Sequence, residues 1–182
     1  MEKSPAVPAE DKSIIYMREA ILEAKAALEE GEIPVGAVIV REGEIIGRGH
    51  NTTEQDGDPT AHAEINAIRQ AGRYLRETLS WRRLTGCEIY VTMEPCSMCA
   101  GALVWARLES VCAGVPDPKA GGCGSVLNII AEERLNHQVQ YRELEECPEK
   151  DTCRDMLQDF FRELRSKPKW QNRHIQSEED IK

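Results

Sequence analysis

The stretch that most constrains this chain is Glu94-Pro95-Cys96-Ser97-Met98-Cys99 and the apolar run before it, Ile89-Tyr90-Val91-Thr92-Met93. A short apolar run of this kind reads as a buried strand. Pro95 suits the first position of a helix, where its missing N–H costs nothing. A strand passing straight into a helix predicts a sheet with helices laid on its faces. Two cysteines three apart share one side of a helical turn, so both sulfurs can reach one metal ion. A helix N-terminus also favours the thiolate, the form that ligates metal. Alone, the pair is ambiguous between a metal site and a redox dithiol.

The ambiguity is resolved upstream at Pro59-Thr60-Ala61-His62-Ala63-Glu64. Pro-Thr reads as a helix start, with His62 in its first turn and Glu64 two residues on. One imidazole and two thiolates, His62, Cys96 and Cys99, make three ligands for a single zinc ion and leave a fourth tetrahedral position open. Three protein ligands and an open position is a catalytic arrangement, whereas a structural site would use four. Glu64 is then a carboxylate beside the metal but not on it, placed for proton transfer. Residues two apart in a regular helix point about 200° away from each other. His62 and Glu64 are therefore expected at an irregular helix cap where both turn inward.

Read in order, residues 1–12 are expected to form a disordered N-terminus, residues 13–166 one catalytic domain, and residues 167–182 a frayed polar tail. Ile14, Met17, Ile21, Ala24 and Leu28 recur at helical spacing, and Gly31 closes that helix. Val35–Val40 is a strand, Glu42-Gly43 a turn, and Glu44–Gly49 its hairpin partner. A polar loop over residues 51–58 leads to the His62 helix, expected to end near Arg73, with irregular chain over 74–86. The Cys96 helix, a strand at Ser110–Gly114, a glycine-rich loop, a short helix over 126–133, a weak strand over 138–141 and a final helix over 151–166 follow. The expected fold is α/β, a three-layer sandwich in which helices flank a mixed sheet. Both metal motifs open helices that follow strands, where sites form in such sheets.

The chain carries 23 Lys and Arg against 32 Asp and Glu, a net charge of −9. A protein held to a polyanion by its overall field would be basic, so any RNA partner must meet a local basic patch. Seven cysteines, an odd number, point to free thiols in a reducing compartment, and the expected location is cytoplasmic. Met1–Pro8 lacks the pattern of a signal peptide, and no segment has the length of a membrane helix. Cys87, Cys112, Cys123, Cys147 and Cys153 read as packed thiols. Trp81 and Trp170 read as anchors of a loop and a tail, and Arg76, Arg82 and Arg83 as solvated.

His-x-Glu followed by Pro-Cys-x-x-Cys matches the zinc-dependent nucleobase deaminases. The sequence resembles the zinc-dependent cytidine deaminase superfamily, and within it the bacterial tRNA-specific adenosine deaminases. The resemblance rests on Glu32–Val38, Asp58–Ile65, Val91–Ala102, Gly114–Gly121, Gly124-Ser125, Asn136-His137 and Phe160-Phe161, and covers about residues 13–166. The zinc motifs specify the superfamily; Asp117-x-Lys119 and Asn136-His137 specify the branch. The resemblance implies a five-stranded mixed sheet, a homodimer, and hydrolytic deamination of the wobble adenosine in a tRNA anticodon loop to inosine. It also implies that Asn51 holds the flipped base, that Asp117 and Lys119 lie beside the RNA, and that Phe161 and Arg162 lie near the anticodon loop. The chain departs from the family in carrying only Arg162 and Arg165 where relatives have a denser basic run, and in the acidic stretch Glu143–Glu149. Two alternatives remain: a free-base or nucleoside deaminase (guanine or cytosine) of the same superfamily, and a silent RNA-binding subunit, against which the intact Glu64 argues.

Overall fold

A computed structural model describes residues 11–80 and 83–167. Trp81, Arg82, Trp170, residues 1–10 and the tail beyond Lys167 lie outside the described residues. The first helix, α1 (Lys12–Glu29), is capped by Asp11, whose carboxylate accepts the Ser13 N–H. Its buried stripe, Met17, Ala20, Ile21, Ala24 and Ala27, follows the helical period. Gly31, at φ +79°, ends it. Strands β1 (Gly36–Arg41) and β2 (Glu44–His50) form a hairpin whose two turn residues, Glu42 and Gly43, both have positive φ, the geometry that matches strand twist.

Strand β3 (Cys87–Met93) lies antiparallel to β1, whereas β4 (Ser110–Val115) and β5 (Gln140–Glu143) continue parallel to it, giving a five-stranded mixed sheet in the order β2-β1-β3-β4-β5. The expected cytidine-deaminase-like sandwich is therefore present. Helix α1 and the last helix, α5 (Pro148–Ser166), pack on one face; α3 (Ala63–Leu79) and α4 (Ser97–Ala106) pack on the other. Glycines set how closely these layers approach. A Cβ on Gly36 would sit 2.2 Å from the Ala20 carbonyl oxygen on α1, and one on Gly49 would sit 2.4 Å from the Ala63 carbonyl oxygen on α3.

Four local expectations are corrected. The polar loop contains a short helix, α2 (Thr53–Asp56). Buried Glu32 makes that turn by accepting the N–H groups of Glu54 and Gln55 and the hydroxyl of Thr53. Helix α3 runs past Arg73 to Leu79, because Leu75 is buried and extends the stripe of Ala67 and Ala71. Helix α4 begins at Ser97, with Cys96 as its N-cap and Pro95 outside it. Residues 126–133 form no helix: the N–H groups of Val126 and Leu127 go to the Gly121 carbonyl, and that of Ile129 goes to Gly122. The donors of these three residues pair with the glycine loop instead of with a helix. The acidic stretch near Glu143 is largely paired. Glu143 and Glu146 receive the buried Lys150 ammonium at 2.6 and 2.8 Å, and Glu149 receives Arg18 at 2.7 Å, so these carboxylates tie α5 to β5 and α1.

One end of the sheet gathers every element that matters next. The end of β2, the start of β1 and the ends of β3 and β4 lie together, with Gly36 opposite His50 and Met93 opposite Val115. Across that end the Gly36 N–H donates to the buried Thr92 hydroxyl at 3.1 Å.

Candidate active site

At this end Asp58-Pro59-Thr60 forms a tight turn, in which the Asp58 carboxylate accepts both the Thr60 N–H (2.8 Å) and its hydroxyl (2.6 Å). The chain leaves it extended and enters α3 with His62, not Thr60, as N-cap (φ −77°, ψ 157°). The cap is what lets His62 and Glu64 face the same way, as the spacing requires. His62 makes no side-chain cap. The first N–H of the helix, that of Ala63, instead donates to Asn51 Oδ1 at 2.9 Å. That bond uses the amide oxygen of Asn51, which also lines the cavity.

His62 Nδ1 lies 3.7 Å from Cys96 Sγ and 3.6 Å from Cys99 Sγ. A tetrahedral zinc with bonds of about 2.3 Å to sulfur and 2.0–2.1 Å to nitrogen separates those atoms by about 3.6 Å. The three side chains thus fit a zinc ion without rearrangement, and they are the one group among the described residues whose donor atoms converge in this way. Cys99 is fully buried behind the site, while His62 and Cys96 border the cavity. A metal ion held by the three would border the cavity on its His62 and Cys96 side. The hydrogen bond from Cys99, together with His62, brings the Cys96 thiol down to about 4, and acceptance by Cys96 pushes the Cys99 thiol up. A dication would hold both as thiolates.

Glu64 is 3 % exposed and lines the same cavity. Burial pushes its carboxyl up to about 7, whereas a dication beside it favours the carboxylate. A carboxyl with those two influences can hold or release a proton near neutral pH.

The cavity has a volume of about 590 Å³, within the range of small-molecule sites. Asn51, His62, Glu64, Glu94, Asp117 and Phe161 all border it. Sequence reasoning did not single out Glu94. Burial would raise its carboxyl, but the Ser125 hydroxyl and the N–H groups of Asp117, Ser125 and Cys123 hold it below the usual carboxylate range. The only signal of it was a lone acid between an apolar strand and a proline. The residues assigned by resemblance divide. Asn51, Asp117 and Phe161 reach the cavity wall. Lys119 sits two residues beyond Asp117, its N–H bound to the Asp117 carboxylate at 2.9 Å. Arg162 is not at the wall; it is 71 % exposed and pairs with Asp159 at 2.7 Å.

Residues 10–115 match the family described as the cytidine and deoxycytidylate deaminase zinc-binding region. The chain is 49% identical over 153 residues to a tRNA-specific adenosine deaminase of Aquifex aeolicus, covering 83% of this chain and 95% of the relative. It is 50% identical over 157 residues to a tRNA-specific adenosine deaminase of Bacillus subtilis, covering 85% and 92%. A solved structure from work on A-to-I editing by tRNA deaminases at the wobble position of transfer RNA superposes with a TM-score of 0.71 at 36% identity, covering 79% of this chain and 99% of that one. With its His62, Cys96 and Cys99 cluster beside a cavity that buried Glu64 borders, this chain belongs to the cytidine and deoxycytidylate deaminase zinc-binding family.

Proposed function

We propose that the protein deaminates the wobble adenosine of a tRNA anticodon loop to inosine, with residues 13–166 as the catalytic domain. The observation that carries this reading is the cluster of His62, Cys96 and Cys99 beside a cavity of about 590 Å³ that buried Glu64 borders, in a chain 49% identical to a tRNA-specific adenosine deaminase. Zinc held by His62, Cys96 and Cys99 would supply Lewis-acid activation of water near neutral pH. Glu64 takes the proton of the water whose oxygen adds to carbon 6 of adenine, and passes it to ring nitrogen 1. It then takes the proton of the new carbon-6 hydroxyl and delivers it to the amino group; the C6–N bond breaks, the C6=O carbonyl of inosine forms, and ammonia leaves. Asn51 donates from Nδ2 to the bound base, and Phe161 forms an apolar wall. An unpaired anticodon loop suits such a cavity, because turning out an already unstacked base costs little.

Three further features complete the reading. All seven cysteines are free thiols, which fits a cytoplasmic enzyme; among the described residues no helix is long and apolar enough to cross a membrane. Helix α4 is apolar on every side, yet Trp105 on its outer face is 79 % exposed. Val126 and Leu127, on the loop packed against α4 through Gly122, are also exposed. A second copy of the chain covers this surface in the homodimer we propose, and W105E should shift the mass in solution from dimer to monomer. Asp117, Lys119, Phe161, Arg162 and Arg165 are the proposed RNA-facing residues.

The net charge of −9 favours a second reading, a free-base deaminase acting on a small neutral substrate. Both are tested by incubating the zinc-loaded enzyme with an anticodon stem-loop and, separately, with adenosine, guanine and cytosine. Inosine from the stem-loop and no turnover of the small substrates is expected. Faster turnover of guanine or cytosine than of the stem-loop would replace the first reading with the second.

A further inference from the structure

Glu94 is 3 % exposed, and its carboxylate is aimed not at the metal site but at the loop after β4. Oε1 accepts the N–H groups of Cys123 (3.0 Å) and Ser125 (3.1 Å); Oε2 accepts the N–H of Asp117 (3.0 Å) and the Ser125 hydroxyl. Four donors from three positions of one loop therefore converge on one side chain. That side chain is two residues before Cys96 and borders the cavity. The loop is stitched to the same turn by its backbone. The Gly122 N–H donates to the Pro95 carbonyl at 2.8 Å, and Cys96 forms an isolated bridge with Gly121. Gly121 has no room for a side chain, since a Cβ there would meet the Glu94 carboxyl carbon at 2.5 Å.

We propose that Glu94 is a positioning residue that fixes the distance between the metal-binding turn and the Asp117–Ala120 wall of the substrate cavity. A buried carboxylate with no basic partner in this set of hydrogen bonds holds irregular backbone better than an apolar residue would, because each N–H it accepts would otherwise be unpaired. The wall then stands at a set height above the zinc ligands before any substrate arrives, so binding does not have to order it. Glu94 touches neither the reacting atoms nor the ligands; it acts through the loop. The substrate side of this inference rests on the RNA reading above, while the loop-holding side does not.

The test uses E94Q and the milder S125A in the full chain loaded with zinc. The E94Q side chain would keep the shape of the native one but turn an NH2 toward groups that are themselves donors. Three measurements are made: zinc per chain, hydrogen exchange at the amides of Asp117, Cys123 and Ser125, and KM and kcat on an anticodon stem-loop. In E94Q zinc should stay at the wild-type content, the three amides should lose protection, and KM should rise about tenfold, equivalent to about 1.4 kcal/mol, with kcat within about twofold. S125A should move exchange and KM in the same direction by less. Unchanged protection in both variants overturns the proposal whatever the substrate proves to be. A fall in melting temperature with KM unmoved overturns it in favour of a purely structural role, and a fall in kcat alone overturns it in favour of a catalytic one. If the wild type fails on the stem-loop, the RNA reading falls, and the exchange measurement still decides whether Glu94 holds the loop.

Discussion

Replacing Gly49 with alanine should damage the active site from the opposite side of a helix. Gly49 lies on β2, and a methyl added there would come within 2.4 Å of both the Ala63 carbonyl oxygen and the Ala67 nitrogen of α3. Both are backbone atoms, so no side chain can swing aside. Ordinary contact begins near 3.4 Å, so the first turn of α3 must retreat by about 1 Å, at an overpacking cost of about 1–3 kcal/mol. Ala63 sits between His62 and Glu64, and the retreat draws both away from Cys96 and Cys99. A 1 Å misplacement of reacting groups costs about 100-fold in rate. We therefore expect G49A to fold with a melting temperature lower by about 2–4 °C per kcal/mol, to lose zinc at chelator concentrations the wild type withstands, and to turn over at least about 100-fold more slowly. The control is on the same helix. A Cβ at Gly72 meets nothing within 4 Å, so G72A should stabilise by about 0.5–1 kcal/mol and leave turnover intact. The assays are thermal unfolding, metal analysis before and after chelation, and initial rates. Wild-type zinc retention and rate in G49A would refute the claim that β2 sets the position of the His62 cap.

Three other predictions concern the site itself. E64Q should retain zinc by metal analysis and lose at least about 100- to 10,000-fold in rate, the worth of a positioned proton donor and acceptor; near-normal turnover would exclude it as the proton carrier. At Asn51 the two functions separate. N51D keeps an acceptor for the Ala63 N–H and should unfold near the wild-type temperature while binding the stem-loop poorly, whereas N51A should in addition lose about 1 kcal/mol of stability with the cap. Neutral substitution of Arg162 and Arg165 together should weaken stem-loop binding and reduce its log–log salt slope by up to about 0.7 for each phosphate no longer neutralised, with zinc content unchanged; equal slopes would remove these arginines from the interface.

The His62, Cys96 and Cys99 cluster was legible because its chemistry is local. Cys96 and Cys99 open the helix that follows β3, His62 caps α3 after α2 and a turn, and the structure brings the three within bonding geometry of one ion. The sheet was legible for the same reason, since apolar runs such as Ile89–Met93 and the Glu42-Gly43 turn declare themselves within a few residues. What stayed hidden depends on partners far along the chain. Helix α2 exists because Glu32 reaches its N–H groups across more than twenty residues, and nothing within Thr53–Asp56 reveals that. The stretch 126–133 has apolar spacing resembling a helix, but the N–H groups of Val126, Leu127 and Ile129 are taken by Gly121 and Gly122, and Val126 and Leu127 face outward. Glu94 was hidden for a related reason: its role is written in the four donors that reach it from the next loop.

The most direct test of the central claim is a single-turnover reaction on an anticodon stem-loop bearing a wobble adenosine, run in water enriched in heavy oxygen and read by mass spectrometry of the digested nucleosides. Zinc-loaded wild type should yield one inosine per stem-loop, labelled with heavy oxygen at carbon 6, with one ammonia released. E64Q with the same zinc content should yield none on that timescale. Unlabelled inosine, no inosine from the wild type, or equal product from E64Q would contradict the account.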